Sequence, residues 1–157
     1  MANSLRVLSS RMARSFVVAC ALVAAHRASA QIAIIVSPAA AIRDLTIEEV
    51  RRIFSGDAVT IDGSTPSRVV FHEDTQRAFF QSFYGKSVEV ARRHWIELVF
   101  RGENTPPRTM ADLAEIKRFV ANTAGAIAFI PATAADGSIR IVKVGGKLPT
   151  EAGYSLK

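Results

Sequence analysis

The chain alternates between solid apolar runs and segments whose apolar residues recur at helical spacing. Ile32-Ala33-Ile34-Ile35-Val36 is uninterrupted and ends at Ser37-Pro38, which predicts a strand buried on both faces. Ile47, Val50, Ile53 and Phe54 then share one helical face. Thr46 and Glu49 stand three apart before that face as a capping box, and Ser55-Gly56 stops the helix. Asp62-Gly63 marks a turn, and Arg68 to His72 reads as a second strand. A helix is expected from about Thr75, with Phe79, Phe80 and Phe83 inside, Glu73 or Asp74 as its cap and Gly85 as its stop. Ser87 caps the next helix, whose apolar face is Val88, Ala91, Trp95, Leu98 and Val99. A loop from Gly102 to Arg108 carries Pro106-Pro107. Thr109 and Asp112 are expected to cap a further helix that buries Leu113, Ile116 and Val120. Gly125 to Ile130 and Ile139 to Val144 read as the last two strands.

Strands alternate with helices, and two strands are apolar throughout, so the expected architecture is a three-layer αβα domain around a mixed sheet. Residues 31–157 suffice for one domain with one core, with no internal repeat, linker or low-complexity tract among them. Core packing accounts for the Phe and Trp residues without a ligand.

The first thirty residues have a different character. Arg6, Arg11 and Arg14 precede an uncharged apolar run from Phe16 to Ala25, and Ala28-Ser29-Ala30 follows as a small-x-small cleavage pattern. A membrane-spanning helix needs about 20 apolar residues, and His26 and Arg27 cut this run short. The expectation is a cleavable signal peptide over residues 1–30, with Gln31 as the new N-terminus and the periplasm as destination. Val17-Val18-Ala19-Cys20 resembles a lipobox, but the apolar run continues past Cys20, and no Arg-Arg pair indicates the twin-arginine route.

That segment also changes the charge argument. It holds four arginines and no acid, so the remainder carries 16 Lys and Arg against 14 Asp and Glu, a net +2 in place of +6. Basicity is therefore poor support for nucleic-acid binding, and no nucleic-acid partner is expected. Cys20 is the only cysteine, so the expected mature chain has neither a disulfide nor a thiolate metal site.

Catalytic signatures are missing. There is no Gly-x-Ser-x-Gly, no Ser-x-x-Lys and no His-Glu-x-x-His, since His72-Glu73 runs on into Asp74-Thr75-Gln76. Gly145-Gly146-Lys147 lacks the phosphate-loop spacing and reads as a turn. His94 beside Trp95 reads as a boundary residue, and Arg92-Arg93 as a solvated helix face. The expectation is a non-catalytic protein without cofactor or metal. One place suggests binding. The turn from the strand Arg68–His72 into its helix points backbone amides outward, and a helix N-terminus favours anions. The turn after Val36 would join it if the two strands were parallel neighbours, because ligands gather at the carboxyl ends of strands in open α/β sheets.

The order of these features resembles the phosphate ABC transporter substrate-binding protein family. The likeness is carried by Ile32–Val36 with Ser37-Pro38, by Leu45 to Gly56 with its Ile-Phe-Ser-Gly ending, by Thr75-Gln76-Arg77-Ala78-Phe79, by Trp95, Phe100-Arg101-Gly102 and Thr105-Pro106-Pro107, and by Gly125-Ala126-Ile127-Ala128-Phe129-Ile130. The resemblance implies one lobe of periplasmic-binding-protein type, since the chain is long enough for about one of the two lobes of a transport receptor. It implies inorganic phosphate or another oxyanion as ligand. The contacts would be the hydroxyls of Ser37 and Thr75, the backbone amides of Ala39 and Gln76, and the charge of Arg77. The family's Ser-Gly-Thr loop survives here only as Thr75, with Glu73 and Asp74 before it. The alternative is an accessory module that docks on a membrane or periplasmic protein partner and takes no small ligand.

Overall fold

The apolar run after Gln31 is strand β1 (Ile32–Val36), every residue of it buried. In the computed structural model, which describes residues 31–66 and 68–156, the expected signal peptide lies outside the described residues. The chain continues through β2 (Asp44–Leu45), α1 (Ile47–Ser55), β3 (Arg68–His72), α2 (Glu73–Tyr84) and α3 (Val88–Phe100). It then forms β4 (Arg108–Met110), α4 (Leu113–Asn122), β5 (Ala126–Pro131), a short 3-10 turn (Ala132–Ala134) and β6 (Arg140–Val144). The six strands make one mixed sheet in the order β2-β6-β1-β5-β3-β4.

The sheet divides two apolar layers. Alternate residues such as Ile34, Val36, Val69, Phe71, Ile127 and Phe129 face α1, α2 and α3. Ala33, Ile35, Val70, Ala128 and Ile130 face α4, with Ile116 and Val120. The α/β class and the three layers expected from the pattern are thus observed. Phe129 stacks on Phe79 with ring centroids 4.2 Å apart, and Phe54 meets both edge-on at 5.2 and 5.3 Å. Among the described residues Phe54, Phe71, Phe79, Phe80, Phe83, Phe129 and Trp95 are core as expected, whereas Phe119 is half-buried and Phe100 exposed.

Local signals set the helix ends. Thr46 accepts from the Glu49 amide at 3.2 Å while Glu49 accepts from the Thr46 amide at 2.7 Å, the reciprocal capping box. Gly56 ends α1 in the left-handed region at φ 92°. Ser87 accepts from the Val90 amide at the start of α3.

Four expectations need correction. Helix α2 begins at Glu73, not near Thr75, and neither Glu73 nor Asp74 is its cap; both lie in its first turn, where the helix dipole favours carboxylates. Thr109 does not cap α4, which Asp112 caps alone by accepting from the Ala114 and Glu115 amides. Thr109 instead pairs with Phe71 as the middle of β4, an edge strand inside the expected loop-and-cap region. Finally, β1 and β3 are not parallel neighbours. Strand β5 lies between them, parallel to β3 and antiparallel to β1.

Candidate functional site

That pairing decides where the candidate anion contacts fall. Val36 and Val69 both pair with Ile127, so His72 lies three residues further along the sheet, roughly 10 Å. Because β1 and β3 run in opposite directions, the turn after Val36 and the turn after His72 leave from opposite ends. Ser37 and Ala39 are at one end, and Thr75, Gln76 and Arg77 at the other. The structure therefore brings three of the five residues together and separates the other two.

At the Val36 end, the donors are already engaged. Ser37 Oγ donates to the Ala121 carbonyl at 3.1 Å and accepts from the Ala39 amide at 3.3 Å. Arg140 ties down the same turn by donating to the carbonyls of Ala40 and Pro38. The cavity there, about 490 Å3, is lined mainly by alanines together with Ser37, Asn122 and Gly125. Of its lining groups, Ser37 Oγ, the Ala39 and Ala40 amides and Asn122 Nδ2 are already bonded within the protein.

The His72 end is different. No side chain caps α2, so the first-turn amides keep their outward donor capacity. Thr75 sits in that turn, and its Oγ1 lies 2.5 Å from His72 Nδ1. His72 is the one buried polar residue among those described, at 4% exposure. When Nδ1 carries the ring proton, His72 donates to Thr75 and leaves the hydroxyl proton for another acceptor; in the other tautomer the hydroxyl donates to the ring. Arg77 is exposed. The Glu89 carboxyl is held below its ordinary range, first by its own backbone amide and the Ser87 hydroxyl, with Arg77 and Arg92 adding to the effect. Glu73 and Asp74 are exposed beside the same turn.

The His72–Thr75 pair escaped the sequence reading, although their spacing of three is that of a cap position and its third helical residue. A second feature also escaped it. A groove of about 490 Å3 runs between α2, α3 and β4, floored by Phe71, Phe80 and Trp95 and bordered by Phe100. Ile96 and Phe100 fall off the buried stripe of α3, which was its signal in the sequence. Among the described residues no group of His, Cys, Asp and Glu could hold a metal ion. No helix among them is long and apolar enough to cross a membrane.

No protein-family model matches the chain, and no curated protein matches it. Solved structures do share its fold. An ABC-type phosphate transport receptor from Vibrio cholerae matches at a TM-score of 0.59 and 19% identity, over 76% of this chain and 48% of the receptor. A phosphate ABC transporter substrate-binding protein from Clostridium perfringens, solved with bound phosphate, matches at 0.58 and 26%, over 76% and 47%. PstS from Borrelia burgdorferi matches at 0.55 and 15%, over 80% and 53%. The chain thus spans about half the length of each, and what is shared is the fold of transport substrate-binding proteins.

Proposed function

We propose that this protein is an exported, non-catalytic module of solute-binding type that takes a small oxyanion, inorganic phosphate or a relative of it, weakly at the start of α2. The observation that carries this reading is the open first turn of α2 at the carboxyl end of β3, with no side chain capping its amides. Partial positive charge and outward donors at a helix start favour an anion. Thr75 adds a hydroxyl, Gln76 an amide and Arg77 a charge. The opposing carboxylates of Glu73 and Asp74 make the binding weak. The likeness to phosphate-binding structures supports the ligand class, and the Ala28-Ser29-Ala30 pattern supports export to the periplasm. Ser37 and Ala39 drop out of this site because they stand at the other end of the sheet.

Thermal melting in rising concentrations of phosphate, sulfate and chloride tests the binding. A ligand at about ten times its dissociation constant stabilises the native state by roughly 1.4 kcal/mol, a rise of several degrees in melting temperature. Phosphate should give that rise at millimolar concentrations, and chloride should not. Mass spectrometry of the exported protein should find Gln31 at its N-terminus. A second reading, a module that docks on a membrane or periplasmic protein, is favoured by the half-length match, since the other half of the receptors has no counterpart among the described residues. Indifference to every oxyanion together with a co-purifying partner would select it.

A further inference from the structure

The groove between α2, α3 and β4 lies away from the turn after β1 and meets the start of α2 only at Gln76. Its floor is made of core residues. Phe71 meets Phe80 edge-on at 5.2 Å and Trp95 edge-on at 6.2 Å. Trp95 is further fixed by its bond to the carbonyl of Phe54. These walls belong to the packed core, so the shape is present before any ligand arrives. The volume, about 490 Å3, lies within the range of small-molecule sites. At the lip, Phe100 is 85% exposed and Ile96 48% exposed, an apolar surface held in water beside Pro106 and Pro107.

The polar lining is sparse and of one sign. Arg92 is the one charged side chain that lines the groove, with Gln76 and Thr109 as neutral hydrogen-bonding groups. Arg92 makes no ion pair within 4 Å among the described residues, and Glu89, one turn earlier on α3, is the acid that feels its charge. A preformed apolar slot with a single cation at its edge complements a ligand that is apolar along its body and anionic at one end. We infer that this groove binds a small organic anion with an aryl or branched-alkyl body, the body lying on Phe71, Phe80 and Trp95 and the anionic end meeting Arg92. Contact of the body with Phe100 and Pro107 takes their apolar surface out of water, and the hydroxyl of Thr109 and the side-chain amide of Gln76 supply the remaining donors. Inorganic phosphate has no body to fill such a slot, so the groove takes a different ligand class from the α2 start, although Gln76 borders both.

Trp95 is the only tryptophan in the chain and forms part of the floor, so its emission reports occupancy directly. The protein is titrated with 3-phenylpropanoate, with the neutral 3-phenylpropanamide and with inorganic phosphate. The carboxylate should give a saturable change in Trp95 emission. The amide should bind about fivefold more weakly, the scale of a partly exposed ion pair. Arg92→Gln should weaken the carboxylate by the same factor and leave the amide unchanged, with the melting temperature held as the check on folding. Phe100→Ser, at an exposed position, should weaken both. No saturable change up to about 10 mM, or equal affinity for carboxylate and amide, overturns the inference. Competition by inorganic phosphate that is the same in Arg92→Gln as in the unaltered protein overturns it as well, because it would place the bound carboxylate at the start of α2.

Discussion

The indole nitrogen of Trp95 donates to the backbone carbonyl of Phe54 at 3.1 Å, joining α3 to the last turn of α1. Carbonyls in a last helical turn lack partners within the helix. In α1 those of Arg52 and Ile53 are taken by the amides of Asp57 and Gly56, and that of Phe54 by Trp95. Trp95 therefore has a packing role and a capping role. Trp95→Ala should cost about 3–5 kcal/mol. Trp95→Phe, which keeps most of the ring but strands the carbonyl, should cost about 1–3 kcal/mol. Chemical denaturation midpoints of the two variants separate the roles; an unchanged midpoint for the alanine variant would contradict the packing described.

Gly56 is held between the same two helices. Its φ is 92°, and a Cβ there would stand 2.6 Å from Leu98 Cδ1 and 3.0 Å from the ring of Trp95. Gly56→Ala thus combines a strained backbone with overpacking against buried groups, and about 2–3 kcal/mol of destabilisation is expected. Gly63→Ala gives the comparison, since its φ is similarly positive at 74° but nothing lies within 4 Å. If the two variants melted at the same temperature, the close approach of α1 and α3 would not matter.

Near the carboxyl end of the chain, the Tyr154 hydroxyl donates to the Ile32 carbonyl at 2.7 Å, and burial pushes its pKa above the ordinary phenol value. The raised value means that the folded state keeps a proton that the unfolded state gives up. This contribution to stability is whole below about pH 10 and is lost as pH rises beyond it. Tyr154→Phe removes both the bond and the titration. It should be less stable by about 1 kcal/mol at pH 7, and its deficit should shrink as pH climbs above about 10. Parallel unfolding curves at both pH values would count against a buried, neutral phenol.

Elements governed by near neighbours were legible in the sequence. Thr46 with Glu49, Gly85, Ser87 and Asp112 mark real helix ends, and the runs at 32–36 and 126–130 are buried strands. Strand β4 was hidden because Arg108-Thr109-Met110 follows two prolines and shows no apolar run; it is a strand because β3 offers it an edge. The split of the candidate site was hidden for a related reason. No local signal in Ile32–Val36 or Arg68–His72 states that β5, more than fifty residues beyond β3, inserts between them and reverses one relative to the other. The residues at the α2 start could be read off because they are contiguous, whereas Ser37 and Ala39 depended on long-range pairing.

For the oxyanion site proposed at the α2 start, the neighbouring carboxylates are expected to set its strength. Glu73 and Asp74 are the first two residues of the helix, both exposed, and neither is bonded as its cap. Their opposition to an oxyanion is therefore through space and through water. Two unit charges about 4 Å apart repel by roughly 1 kcal/mol in that medium, which is about fivefold in affinity for each carboxylate. Asp74→Asn and Glu73→Gln keep the shape of each side chain, and each should tighten phosphate binding by about that factor. The helix should lose about 0.3–1 kcal/mol per substitution, because its dipole loses a complementary charge. Both effects should fade in about 1 M salt, where the screening length falls to roughly 3 Å. Titration calorimetry at low and high salt measures the first, and melting temperatures without phosphate measure the second. Equal phosphate affinity across the unaltered protein and both variants would show that the anion, if bound, lies away from Glu73 and Asp74. Tight binding by the unaltered protein would mean that the open amides, Thr75 and Arg77 outweigh both carboxylates.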